Sequence, residues 1–108
     1  MPIRIVSIKG SLSAGASETE LGSITVKVGY TYNVLEILPL VPAGCRLYIY
    51  IEGDKHAEID GDIIAKDNRR IVVNWSLTGG QRLAVSAINP TTSTQTLGAI
   101  IVFEEVKT

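Results

Sequence analysis

The sequence predicts an all-β domain: an antiparallel two-sheet β-sandwich of about eight strands, with a jelly roll as one winding that fits the count. Three observations carry this. Apolar residues recur with a period of two nearly everywhere, and no window holds a helical stripe. Glycine, proline, asparagine and aspartate punctuate the chain at short, regular spacing, as turns between strands require. The length of 108 residues makes one domain, residues 1–108, with chain enough for one core and no internal repeat.

The elements follow in order. "IRIVSI" (Ile3 to Ile8) is a first strand. "GSLSAGASETELG" (Gly10 to Gly22) is small and polar and reads as a loop. "SITVKVGYTYNV" then alternates as a single strand, with Ile24, Val26, Val28, Tyr30, Tyr32 and Val34 on one face. The parity changes after Val34, which predicts a bulge or bend there, with Gly29 as a second candidate position. "LPLVPAG" (Leu38 to Gly44) carries two prolines and a glycine and reads as a connection. "RLYIYI" is a strand, "EGDK" a tight turn, "HAEID" a short strand and "AKDNRR" another turn. "RIVVNWSL" and "RLAVSAI" are expected to pair as a hairpin across "TGGQ". "NPTTSTQT" is a loop, and "LGAIIVFEEV" closes the chain as a strand.

Composition narrows the function classes. Net charge is -1, so no electrostatic pull toward nucleic acid is expected. The nearest approach to a basic cluster, "KDNRR", is short and holds an aspartate. No apolar run approaches the roughly 20 residues that a membrane span needs. "MPIRIVSIKG" lacks the apolar stretch of a signal peptide, so synthesis in the cytoplasm is expected. With one cysteine, Cys45, no internal disulfide can form; it reads as a small buried apolar residue, with an intermolecular disulfide as the alternative.

The distinctive feature is apolar surface in excess of one core. In "CRLYIYIEGDK", Leu47, Ile49 and Ile51 point one way, while Tyr48 and Tyr50 occupy the face where Lys, Thr or Glu would be ordinary. In "AIIVF", Ile100 and Val102 lie opposite Ala99, Ile101 and Phe103; in "RIVVNWSL", Val72 lies opposite Ile71, Val73 and Trp75. A sandwich leaves one face of each strand to water, so a second apolar face marks an interaction surface unless loops cover it. Tyr48, Tyr50, Trp75, Ile100 and Val102 are therefore the candidate interface or ligand-platform residues. Tyrosines two apart on a strand could also stack sugars.

Catalysis and metals find little footing. His56, the single histidine, would have to serve any nucleophile–histidine pair, and it sits beside a turn. Zinc needs several His or Cys ligands. "DGD" sets Asp60 and Asp62 around a glycine, a fragment of a calcium loop without the rest of one. The acidic residues fix no glycosidase pair. "LTGGQ" joins strand to strand, not strand to helix, so it is no phosphate loop. "NWS" matches a glycosylation sequon inside a strand without a secretory signal. No cofactor is expected, and the chain reads as non-enzymatic.

"NWSLTGGQRLAVSAINPTTSTQTLGAIIVFEEV" resembles the closing hairpins of small virus and phage structural β-sandwiches of the single jelly-roll type, and "VPAGCRLYIYIEG" is similar to an earlier hairpin of the same kind. The resemblance covers about half of the chain and carries no diagnostic motif. It implies a structural protein that self-associates, as a homo-oligomer or with other structural subunits, in a virion capsid, spike or decoration role. The alternative is a carbohydrate-binding module that stacks a glycan on Tyr48, Tyr50 or Trp75.

Overall fold

The computed structural model describes residues 2–64 and 70–108, and of Ile64 the backbone alone. The turn expected over 66–70 therefore lies outside the described residues, except for Arg70. Eight strands succeed one another: β1 (Ile3–Leu12), β2 (Ala16–Thr25), β3 (Tyr30–Leu40), β4 (Arg46–Ile51), β5 (Asp54–Asp60), β6 (Ile71–Thr78), β7 (Arg82–Asn89) and β8 (Gln95–Lys107). One helical turn, α1 (Gly61–Ile64), follows β5.

The strands form two four-stranded antiparallel sheets, β1-β8-β3-β6 (sheet A) and β2-β7-β4-β5 (sheet B). The pairs β1–β8, β2–β7, β3–β6 and β4–β5 are nested. One long antiparallel ribbon is thus folded over so that alternate pairs fall in alternate sheets, which is the jelly-roll winding. Between the sheets lies one apolar cluster that includes Ile8, Val34, Ile37, Leu47, Ile49, Leu77, Leu83, Val85, Leu97 and Ile101. Each such side chain contributes about 1.5–3 kcal/mol by leaving water. Tyr32 and Phe103 stack inside this cluster with ring centroids 4.6 Å apart.

Two local expectations hold. Leu35 is an extra residue against β8, between the pairs Val34–Phe103 and Glu36–Val102, where the parity changes. Glu52 and Gly53 form a two-residue loop with φ of 51° and 81°, the left-handed pair of a type I′ hairpin.

Four expectations are corrected. The segment Gly10–Gly22 is not a loop: it holds the end of β1 and most of β2. Strand β2 pairs on one side only and shows a polar face to water, so its sequence lacks an apolar run. Ser23–Val34 is not one strand. A turn closed by Tyr30 N–H donating to Lys27 C=O (3.1 Å), with Gly29 at φ 88°, carries the chain from sheet B to sheet A. Val28 stands at its tip, 90% exposed, and not on the core face.

Likewise, Leu38–Leu40 belongs to β3. Pro39 is tolerated there because, among the described residues, the β6 pairing stops at Ile37–Ile71 while the β8 pairing runs on to Leu40–Gly98, so its missing N–H would face no described partner strand. Finally, β6 and β7 do not pair. The "TGGQ" turn passes from sheet A to sheet B, held by Gln81 N–H to Thr78 C=O at 3.0 Å.

Candidate functional site

The outer face of sheet B answers what covers the tyrosines. Across that face, Ser86 pairs with Tyr48 and Ala84 with Tyr50. These small β7 side chains leave room for both rings, which pack tilted at 55° to each other. Lys55 places its ammonium 4.5 Å from the Tyr48 ring centroid, a cation–π contact. Tyr48 is left 7% exposed. Tyr50 packs against it at 6.5 Å and donates its hydroxyl to Glu18 Oε2 at 2.9 Å, across β7. That bond, then desolvation and the nearby carboxylates, push the Tyr50 phenol above the ordinary tyrosine value. The chain itself covers Tyr48, which has almost no ring to offer a sugar, and leaves Tyr50 partly exposed.

The outer face of sheet A is the opposite case. Its side chains fall into rows across the strands. Lys9, Gly98 and Leu40 make one row; Ser7, Ile100 and Leu38 the next; Ile5, Val102, Glu36 and Val72 the third; Ile3, Glu104, Asn33 and Ser76 the fourth. The middle of this grid is apolar, and nothing within the described residues covers it. Ile5 is 68% exposed, Val72 73% and Leu40 49%. Ile100 and Val102 lie half-buried at its centre. A groove of about 410 Å³ runs between Lys9, Leu38, Leu40 and Ile100. Gly98 forms part of its floor, and a Cβ there would stand 2.2 Å from the Ile8 carbonyl oxygen. Charge ends the patch on both sides: Lys9 stands at one end and Glu104, which accepts from Asn33 at 3.4 Å, at the other. One charge lies inside it, Glu36 of the third row, and it pairs with Arg70 at 3.2 Å.

The candidate residues thus divide. Ile100 and Val102 share one open face. Tyr48 and Tyr50 share the other sheet's closed one. Trp75 joins neither: it points inward from β6 and is partly buried beside the core. Its ring meets His56 at 5.7 Å, edge to face, in a cleft of about 370 Å³ where the margins of β5 and β6 face each other. Ile5, Leu38, Leu40 and Val72 enlarge the sheet A patch beyond the two residues singled out from sequence. The alternation of Ile3 and Ile5 could have signalled the β1 contribution. The prolines around Leu38 and Leu40 masked theirs.

The remaining candidates have local duties. Asp60 accepts from Asp62 N–H at 2.8 Å and approaches Arg46 at 3.8 Å; Asp62 accepts from Gly44 N–H at 2.8 Å. Both carboxylates tie the α1 turn to its neighbours, and no group of three or more potential metal ligands gathers among the described residues. Cys45 is fully buried, with Sγ 3.5 Å from Asn89 Oδ1. Burial, then the Asp62 charge, push its thiol upward, so an intermolecular disulfide has neither access nor thiolate. His56 is exposed, and its Nδ1 lies 3.0 Å from the Asp54 carbonyl oxygen, so that nitrogen carries a donating proton.

No family model matches the chain, and no curated protein matches it. Among solved structures the chain is similar to Aeromonas hydrophila PliG, a periplasmic lysozyme inhibitor of g-type lysozyme. The identity is 12%, the TM-score 0.50, and the match covers 94% of this chain and 85% of that one. At that identity the likeness is one of fold: a second protein reaches a comparable β-architecture with a different sequence.

Proposed function

We propose that the protein is a non-enzymatic structural subunit that associates with copies of itself through the outer face of sheet A. The observation that carries this is the apolar grid around Ile100 and Val102, open on a chain whose other sheet covers its own large side chains. Sheets pack face to face by interdigitating such rows. Four strands about 4.8 Å apart and four rows about 6.6 Å apart give a patch of roughly 500 Å² per copy. Two copies then bury about 1,000 Å², the lower bound of a specific interface. A two-fold axis across the strands, midway between the Ile100 and Val102 rows, also brings Lys9 of one copy beside Glu104 of the other. A second copy thus satisfies both the apolar centre and the charged ends. A virion capsid, spike or decoration role is the setting we propose for such a subunit; its support is the jelly-roll winding together with this open face.

The test is native mass in solution across a concentration series, for the wild type and for Ile100→Lys with Val102→Lys. A discrete oligomer in the wild type, and a monomer with unchanged circular dichroism in the variant, are expected. A wild-type monomer of 11.6 kDa at every concentration would overturn the reading.

A further inference from the structure

We propose that the cleft between the margins of β5 and β6 is a binding site for a neutral saccharide, with Trp75 as its apolar wall. This goes beyond self-association and uses a different part of the molecule.

The cleft joins three strand ends and two turns. Glu52 and Asp54 come from the β4–β5 hairpin, His56 from β5, Asn74 and Trp75 from β6, and Gln81 from the turn after it. Two chemistries meet there. Trp75 and His56 supply aromatic surface, on which the C–H face of a pyranose ring can pack. The rest of the lining is polar apart from Ile51, and among the described residues its carboxylates are unengaged. The carboxylates of Glu52 and Asp54 meet no N–H, O–H or cation. Every other acidic side chain of the described residues does: Glu18 meets Tyr50, Glu20 meets Arg82, Glu36 meets Arg70, and Glu58 meets Lys55. Asp60 and Asp62 accept backbone N–H groups, Glu104 accepts from Asn33, and Glu105 meets Arg4. Gln81 uses Oε1 to accept from Thr78 N–H at 2.8 Å, which points its NH₂ group away from that bond.

A polyol needs this mixture: carboxylate acceptors for hydroxyl protons, amide donors for hydroxyl oxygens, and one flat apolar surface. The sign of charge narrows the class. Two carboxylates with no Lys or Arg in the lining disfavour a sulfated, phosphorylated or uronic acid ligand. The volume of about 370 Å³ suits one or two sugar rings. Glu52 reaches the rim from a left-handed backbone at φ 51°, a conformation that asparagine or glycine adopts with less strain.

The chain has one tryptophan, so its intrinsic fluorescence reports on this cleft directly. The experiment titrates the protein with cellotetraose, maltotetraose, xylotetraose and chitotetraose, and with tetragalacturonate as the anionic comparison. A saturable change in emission with at least one neutral probe is expected, with no response to tetragalacturonate. Glu52→Gln and Asp54→Asn, both at exposed positions, should each weaken that titration at least tenfold while circular dichroism and melting stay unchanged. Absence of saturable change with all four neutral probes up to millimolar concentration would overturn the proposal. A titration that neither variant weakens would overturn it as well.

Discussion

Asn89 offers the most direct test of how the ribbon is closed. It is fully buried at the end of β7, and its amide is used on every side. Nδ2 donates to the carbonyls of Leu12 (3.0 Å), Ser13 (3.1 Å) and Ser93 (2.9 Å). Oδ1 accepts from Thr91 N–H (3.1 Å), Thr91 Oγ1 (2.6 Å) and the Cys45 thiol (3.5 Å). One side chain thereby ties the β1–β2 turn, the β7–β8 loop and the start of β4. Asn89→Ala strands the buried Leu12 carbonyl, which costs about 1–3 kcal/mol. The Thr91 and Ser93 groups lie nearer to water, and losing their bonds costs about 1 kcal/mol each. The sum, about 3–5 kcal/mol, is a large share of the 5–15 kcal/mol typical of a domain. Urea unfolding followed by Trp75 fluorescence should show this loss with an unchanged m value, and melting should fall by roughly 12–20 °C. Asn89→Asp adds a signature in pH. Its new carboxyl faces three carbonyl oxygens, so its folded-state pKa lies above the unfolded value of about 3.9. A raised folded-state pKa gives stability that is present below the unfolded value and lost as pH rises through the folded one. This variant should therefore approach the wild type in acid and fall behind it at neutral pH. A loss under about 1 kcal/mol for Asn89→Ala, with m unchanged, would refute the reasoning.

Two further predictions concern the sheet B side. Tyr50 should ionise above the ordinary tyrosine range, measured by phenolate absorbance, and Glu18→Gln should move that step back down. Because the folded value is raised, the contribution of this bond is present at neutral pH and lost as pH rises through it; ionisation of Tyr50 in the ordinary range would contradict the bond. Cys45 should react with an aromatic disulfide reagent at least about a hundredfold more slowly in the native protein than in urea, as a buried thiol with a raised pKa must. Fast native labelling would show that this part of the core opens.

The alternation of β4, β7 and β8 showed through the sequence because these central strands carry apolar residues on the inward face without interruption. The bulge at Leu35 showed for the same reason: a parity change inside an apolar run has few other causes. What stayed hidden was non-local. The polar strand β2 resembles a loop because half of its pairing and one whole face belong to water. The glycines of "TGGQ" reveal that the chain reverses, and carry no information on which sheet receives the next strand. Pro39 argues against a strand until the early end of β6 is known. The cleft around Trp75 is assembled from turns far apart in sequence, so no spacing could announce Glu52, Asp54, Asn74 and Gln81 together. The tyrosines misled for a related reason. Their cover is the smallness of Ala84 and Ser86 on the neighbouring strand, a property of a pairing and not of "RLYIYI" itself.

The two faces therefore answer one physical problem in opposite ways. Both sheets carry more apolar surface than one core can take. Sheet B resolves this internally: small residues on β7 leave room for Tyr48 and Tyr50, and Lys55, Glu18 and the Glu20–Arg82 pair surround them with charge. The same charges, with the bulges of β2, protect that sheet's margins from strand addition. Among the described residues, sheet A has no such cover. At positions where lysine or threonine would keep a monomer soluble it places Ile5, Leu38, Leu40, Val72, Ile100 and Val102, and it keeps charge at the two ends of the grid. Chance would scatter exposed apolar residues over the surface, but here five of the seven large ones among the described residues, Ile3, Ile5, Leu38, Leu40 and Val72, fall on one face. Water alone gives no reason for that concentration, whereas a second sheet packed against it does.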